Sequence, residues 1–274
     1  MRAAVLGSPV AHSLSPVLHT AAYAAMGLEE WSYGLYECGE EELDPFLAGL
    51  GAEWAGLSLT MPLKRRALDL ADTVTDLARQ VGGANTLVRR GAGWEAHNTD
   101  VAGIAAALTE AGAESPRDAV VLGAGATAAS ALAALRLLGV VSTVTVLARD
   151  PARTGEVTAA AARLGHPVEI APLSSVDEHL DVDLVVSSLP SGAADRYASR
   201  LAGSRADLFD VVYAPWPTRA AEAVAGRGGR TVGGFPMLLH QAVAQVRLMT
   251  GVADVPVEAM RAAGEAELAR RAAA

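Results

Sequence analysis

Short apolar runs bounded by glycine or proline alternate along this chain with longer amphipathic stretches. That rhythm belongs to strands and helices of an α/β protein. Ala3–Gly7 reads as a strand. Ser15-Pro16 then opens a helix, with Ser15 as its N-cap and Pro16 at the first helical position, and Gly27 closes it. Trp31–Glu37 alternates as a second strand, Glu40–Leu50 forms a helix ending at Gly51, and Ala55–Leu59 is a third strand. Pro62–Leu70 and Asp72–Val81 have helical patterns. Thr86–Arg89 and Trp94–His97 flank Arg90-Gly91-Ala92-Gly93, a hairpin signature. An amphipathic helix, Val101–Ala111, follows Asn98-Thr99-Asp100.

Beyond a turn-rich joint at Gly112–Arg117 the pattern becomes regular βαβ. Ala119–Leu122 is a strand, Gly123–Gly125 a turn, and Thr127–Leu138 a helix closed by Gly139. Strands at Thr143–Leu147, Val182–Ser188 and Leu208–Val212 follow, with a helix at Val157–Leu164 and a last short strand at Thr231-Val232. Strands separated by helices in this way predict a parallel sheet. Two helices, Pro236–Thr250 and Val257–Ala274, complete the chain.

Composition narrows the class. The 274 residues suffice for one large or two ordinary domains, and 51% are hydrophobic with only 4% aromatic, which suits tightly packed helices. A net charge of -9 argues against nucleic-acid binding. The single cysteine, Cys38, excludes an internal disulfide and has no nearby histidine to activate it. The six histidines are scattered, without metal-ligand spacing. The most apolar window, Ala126–Val141, is interrupted by Thr127, Ser130 and Arg136, so no membrane span is expected. The opening residues run directly into a strand without a signal-peptide core, so a cytoplasmic location is expected.

The turn after Ala119–Leu122 reads Gly123-Ala124-Gly125-Ala126-Thr127-Ala128, a G-x-G-x-x-A pattern between strand and helix. Gly123 permits the tight turn, Gly125 lets backbone approach a pyrophosphate, and small Ala128 lets helix pack on strand. The alternative is a glycine turn without ligand. The next strand ends at Ala148, where a dinucleotide's adenosine ribose is read. Arg149 and Arg153 there favour the 2′-phosphate of NADP. Asp150 favours the 2′-hydroxyl of NAD, unless it only caps the following helix.

Lys64 is the only lysine among 22 Lys and Arg residues. A chain that otherwise uses arginine retains lysine where a compact ammonium able to give up a proton is needed. Around it stand polar groups at predicted strand ends: Ser13 and Ser15, Ser58 and Thr60, Asn85, and Asn98-Thr99-Asp100. Ser13 and Ser15, two apart in an extended segment, would point the same way. Strand ends of open α/β sheets bind ligands, and this inventory suits a small polyhydroxylated acid. Asn85 as a turn residue and Asp100 as a helix N-cap are the structural alternatives. Gln241 and Gln245 lie inside an apolar helix face, flanked by Met237, Leu238, Leu248 and Met249, and need buried partners.

Taken in order, these segments resemble the shikimate dehydrogenase family. The matching stretches are S-x-S-P at 13–16, T-x-P-x-K at 60–64, G-A-x-N-T-L at 83–87 and N-T-D at 98–100. The glycine loop at 123–128, Arg149 to Arg153, D-x-x-Y-x-P-x-x-T at 210–218 and M-L-x-x-Q at 237–241 follow. The resemblance implies NADPH-dependent reduction of 3-dehydroshikimate to shikimate by a monomer or homodimer. It implies Lys64 and Asp100 as the catalytic pair and Ser13, Ser15, Thr60, Asn85 and Gln241 as substrate ligands, with Tyr213 near substrate and nicotinamide. Gly123, Gly125, Ala126, Ala128, Arg149, Arg153 and Gly234 would hold the cofactor. It also implies an α/β substrate-binding catalytic domain from residues 1–100 with 236–274, and a Rossmann-type NADP domain at 101–235. The last helices would return to the first domain, with hinges near Ala111–Pro116 and Gly233–Pro236. Ser58, Ala148, Ser187-Ser188 and Pro236 depart from the usual pattern. An NAD-dependent quinate/shikimate dehydrogenase and a non-catalytic dinucleotide-binding regulator are the rival readings.

Overall fold

A computed structural model describes residues 1–113 and 115–273. The joint expected at Gly112–Arg117 therefore includes one residue, Glu114, outside the described residues, as does the final Ala274 of the last predicted helix. The chain divides into two compact units, Met1–Thr99 with Leu239–Ala274, and Asp100–Leu238.

The first unit opens with β1 (Arg2–Gly7), α1 (Ser15–Ala25), β2 (Ser32–Glu37), α2 (Glu40–Ala48) and β3 (Trp54–Leu59). Then come α3 (Arg66–Leu70), β4 (Thr73–Val74), α4 (Asp76–Val81), β5 (Thr86–Arg90) and β6 (Gly93–His97). The strands form one sheet in the order β2-β1-β3-β5-β6-β4. β1 lies parallel to β2 and β3, whereas β5 runs antiparallel to both β3 and β6. Every residue of β3 is buried, as expected of a central strand covered on both faces.

The second unit contains α5 (Asp100–Glu110), β7 (Ala119–Leu122), α6 (Ala126–Leu137), β8 (Val144–Ala148), α7 (Gly155–Leu164) and β9 (Val168–Pro172). It continues with β10 (Leu184–Ser187), α8 (Ala198–Ala202), β11 (Asp207–Asp210), α9 (Arg219–Gly226) and β12 (Thr231–Val232). Its six-stranded sheet has the order β12-β11-β10-β7-β8-β9, and every pairing is parallel. That is the doubly wound Rossmann order, with its switch point between β7 and β10. The last helices are α10 (Gly234–Thr250) and α11 (Val257–Ala272), and α11 packs on α1.

Local pattern fails at several places. The expected helix Pro62–Leu70 exists only as α3, and Lys64 lies in the turn before it. The Lys64 carbonyl accepts from Ala84 N at 2.7 Å, a tertiary bond that takes it from a helical ladder. The expected helix Asp72–Val81 begins instead as strand β4, paired with β6 through Thr73↔Glu95 and Val74↔Ala96. Branched Thr73 and Val74 suit that extended backbone. Ser15 is not the N-cap of α1: Leu14 holds that position in αR geometry, and Ser13 Oγ accepts from Ser15 N at 3.2 Å. The segment is therefore turned rather than extended, and Ser13, not Ser15, satisfies a helix-terminal N–H. Strand β9 and helices α8 and α9 had no counterpart in the sequence reading.

His19 is fully buried on α1, its ring stacked nearly parallel on that of Tyr33 with centroids 3.9 Å apart, and its Nδ1 bonded to Ser15 O at 2.9 Å. Loss of hydration lowers its pKa from the usual 6.5 to about 4. Between those two values the unfolded chain takes up a proton that the folded chain refuses, so stability falls as pH drops through that window. Buried His166 shifts in the same direction, also through desolvation. Scanning calorimetry from pH 7 to 5 should show a falling Tm, and His19→Phe, which keeps the ring stack, should flatten that slope. Identical slopes for parent and variant would remove His19 as the titrating group.

Candidate active site

Sheet direction gathers the polar segments of the first unit. β1 and β3 end at the edge of the sheet where antiparallel β5 begins and β6 ends. The loop after β1 carries Ser13, Ser15 opens α1, and the turn after β3 carries Thr60 and Lys64. Asn85 precedes β5, and Asn98-Thr99 follows β6, with Asp100 next in the chain. Backbone bonds hold this edge together: Leu59 N donates to Asn85 O at 2.7 Å, Asn85 N to His97 O at 3.1 Å, and Thr60 N to Leu6 O at 2.9 Å. Asn98 Nδ2 donates to Gly83 O at 2.8 Å, which fixes the chain beside Lys64.

Asn85 is more than a turn residue. It is 2% exposed, its Oδ1 accepts from Thr99 N at 2.8 Å, and its Nδ2 donates to Thr99 Oγ1 at 2.9 Å and to Gln241 Oε1 at 3.3 Å. Gln241 is thereby brought from α10 to the strand ends. Gln245, one helical turn on, is consumed within the protein: its Nε2 donates to Asn85 O at 3.1 Å and Thr86 Oγ1 at 3.0 Å, and its Oε1 accepts from Ser58 at 2.7 Å. The glutamine pair thus divides. Gln245 is structural, and Gln241 stands with the polar strand-end groups.

Asp100 is buried as the first residue of α5. Tyr213 lies in the loop after β11. That loop is clamped at its ends: Thr218 Oγ1 donates to Asp210 Oδ2 at 3.2 Å and accepts from Ala221 N as the cap of α9. Burial raises the Asp210 carboxyl above the usual carboxylate range. The D-x-x-Y-x-P-x-x-T stretch is therefore a loop with its own buckle, a role the sequence reading did not assign to Asp210 or Thr218.

In the second unit a cleft of ≈ 950 Å³ opens at the sheet's switch point, lined by Gly123 and Gly125, by Arg149, Asp150 and Arg153, and by Ser188–Pro190. Gly123 has φ +103, and a Cβ there would stand 2.5 Å from Ser188 Oγ; a Cβ on Gly125 would project into open space. Ala126 begins α6, and Ala128, in the first turn of that helix, is fully buried. Bare backbone at a helix N-terminus with arginines along the wall fits a phosphate-bearing dinucleotide. Asp150 Oδ1 accepts from Ala152 N at 3.1 Å and caps a short 3-10 turn, so capping accounts for it. Arg196 also lines the cleft but sits in no motif, and nothing in the sequence pointed to it. Gly234 opens α10, where a Cβ would collide with Val211 O, so close packing alone demands glycine there. Among the described residues no group of three or more His, Cys, Asp or Glu could hold a metal ion, and no helix is long and apolar enough to cross a membrane.

A mixed-sheet unit with converging polar strand ends, together with a Rossmann unit bearing a dinucleotide cleft, defines an α/β protein of the nucleotide-dependent dehydrogenase type. The family model of the shikimate dehydrogenase substrate binding domain matches residues 5–87, and that of the shikimate 5'-dehydrogenase C-terminal domain matches 234–263. Shikimate dehydrogenase (NADP(+)) of Synechocystis sp. is 34% identical over 94% of this chain and 93% of its own. The chain belongs to the shikimate dehydrogenase family. Among solved structures, Mycobacterium tuberculosis shikimate dehydrogenase is 44% identical with a TM-score of 0.89, covering 97% of this chain and 99% of its own. The Thermus thermophilus shikimate 5-dehydrogenase complex with NADP(H) and shikimate is 31% identical with a TM-score of 0.83, covering 97% and 98%.

Proposed function

We propose that this protein catalyses the reversible NADPH-dependent reduction of 3-dehydroshikimate to shikimate, a step of chorismate and aromatic amino-acid biosynthesis in the cytoplasm. The observation that carries the reading is the buried Asn85–Gln241 contact, which joins two family motifs 156 residues apart at the strand ends that also bear Lys64. In this reading the first unit binds substrate and the second binds NADP.

Gly123, Gly125 and the N-terminus of α6 would hold the pyrophosphate, with Arg149 and Arg153 reading the 2′-phosphate. NADPH supplies the hydride that reduces the ring ketone. The ketone oxygen then needs a proton, and Lys64 Nζ is the group that gives it. Asp100 is the second member of the catalytic pair that the family motifs imply. Ser13, Ser15, Thr60, Asn85 and Gln241 bind the carboxylate and hydroxyls of the substrate, and Tyr213 borders substrate and nicotinamide.

Absorbance at 340 nm tests this directly, with shikimate or quinate each paired with NADP⁺ or NAD⁺. Turnover should be fastest with shikimate and NADP⁺. A preference for quinate or for NAD⁺ would instead identify a quinate/shikimate dehydrogenase of the NAD-dependent kind. No turnover in any pairing would leave a dinucleotide-binding regulator.

A further inference from the structure

Tyr33, on the edge strand β2, belongs to none of the motifs above, yet it starts a hydrogen-bonded chain that ends at the candidate substrate ligands. Its hydroxyl donates to Ser58 Oγ at 2.5 Å. Ser58, on β3 and 3% exposed, donates to Gln245 Oε1 at 2.7 Å. Gln245 Nε2 donates to Asn85 O and to Thr86 Oγ1. Thr86 Oγ1 donates in turn to Asn85 Oδ1 at 2.9 Å. Asn85 Nδ2 closes the chain on Gln241 Oε1.

The direction of this chain is set by groups with no choice of role. The Asn85 backbone carbonyl can only accept, so Gln245 presents its NH₂ there and its oxygen toward Ser58. Ser58 has one proton, which goes to that oxygen, so Ser58 accepts from Tyr33. At the other end the Thr99 N–H can only donate, so Asn85 presents Oδ1 to it and Nδ2 to Gln241. Gln241 therefore turns its oxygen to Asn85 and its NH₂ away from it. Both amide orientations are opposite to what a flipped side chain would offer a substrate hydroxyl. Tyr33 can hold its end because its ring is clamped against His19. Burial also keeps the phenol well above its ordinary pKa, so it remains a donor.

We propose that Tyr33 is a positioning residue for substrate binding, acting through Ser58 and Gln245 to hold Asn85, and through it Gln241, in place at the strand ends. The proposal rests on the reading of Asn85 and Gln241 as substrate ligands. It also explains Ser58: with its proton and a lone pair both committed inside the protein, it serves the chain rather than the substrate.

Steady-state kinetics of Tyr33→Phe at saturating NADP⁺ provide the test, since this variant removes one oxygen and keeps the ring stack. KM for shikimate should rise about five- to tenfold, the scale of one neutral hydrogen bond. kcat should stay within about twofold, because no group that touches the reacting atoms is altered. KM for NADP⁺ should not move. Ser58→Ala should raise KM for shikimate similarly, and the double variant should be no worse than either single one, because one chain is cut twice. Should Tyr33→Phe fail to fold, Ser58→Ala against the parent gives the same reading. A shikimate KM unchanged in both variants, or multiplicative effects in the double variant, would overturn the positioning role while leaving the enzymatic function intact. A parent with no shikimate turnover would overturn both.

Discussion

Lys64→Ala is expected to lower kcat for shikimate oxidation by about 10²–10⁴, the usual scale for loss of a general acid–base group. NADP⁺ affinity should be nearly unchanged, because the lysine lies in the turn after β3 and the cofactor cleft is built by the other unit. The backbone at Lys64 is pinned by Ala84 N, and only the half-buried side chain changes, so the fold should survive the substitution. Lys64→Arg is expected to be poor as well, since a guanidinium does not release a proton at useful pH. Single-turnover and steady-state rates measured beside NADP⁺ titrations decide the matter. A variant turning over within about threefold of the parent is incompatible with a general acid at this position.

Lys64 could be singled out as a candidate, because a lone lysine in an arginine-using chain stands out without any structure. Its geometry was not legible in the sequence, because the bond that pulls its carbonyl out of a helix comes from Ala84, twenty residues on. The glycine loop and its cleft were legible because β7 and β10 are short apolar runs bounded by turn residues, and strand, turn and helix are encoded locally. β4 was lost because two residues carry too little periodicity to compete with their helical surroundings. Ser13 and Ser15 exchanged roles over a two-residue span, a difference that turns on the αR conformation of Leu14. Gln241 and Gln245 could be recognised as buried polar groups in need of partners, but the partners sit on β3 and at the start of β5. Only the folded sheet shows that one glutamine is consumed by structure. Tyr33 left no trace, since a tyrosine in an alternating strand is unremarkable until its hydroxyl is seen on Ser58.

Arg149→Ala should weaken NADP⁺ binding by about 1.5–3 kcal/mol, the scale of a charge-assisted hydrogen bond, which is roughly a 10- to 100-fold rise in Kd. NAD⁺ binding should change little, because the lost partner is a phosphate that NAD⁺ lacks. Strand β8 delivers Arg149 to the wall of the cleft immediately after Ala148, with Arg153 one short turn further on. The opposing charge is Asp150. Its Oδ1 accepts from the Ala152 N–H, so capping the following turn accounts for its presence. Asp150→Asn keeps an oxygen in place for that cap and should leave the NADP⁺ to NAD⁺ ratio nearly where it was. Calorimetric titration of the parent and both variants with each cofactor separates the contributions. Equal weakening of NADP⁺ and NAD⁺ by Arg149→Ala would show that Arg149 does not read the 2′-phosphate. In that case a rise in NADP⁺ preference on Asp150→Asn would assign ribose recognition to the aspartate instead.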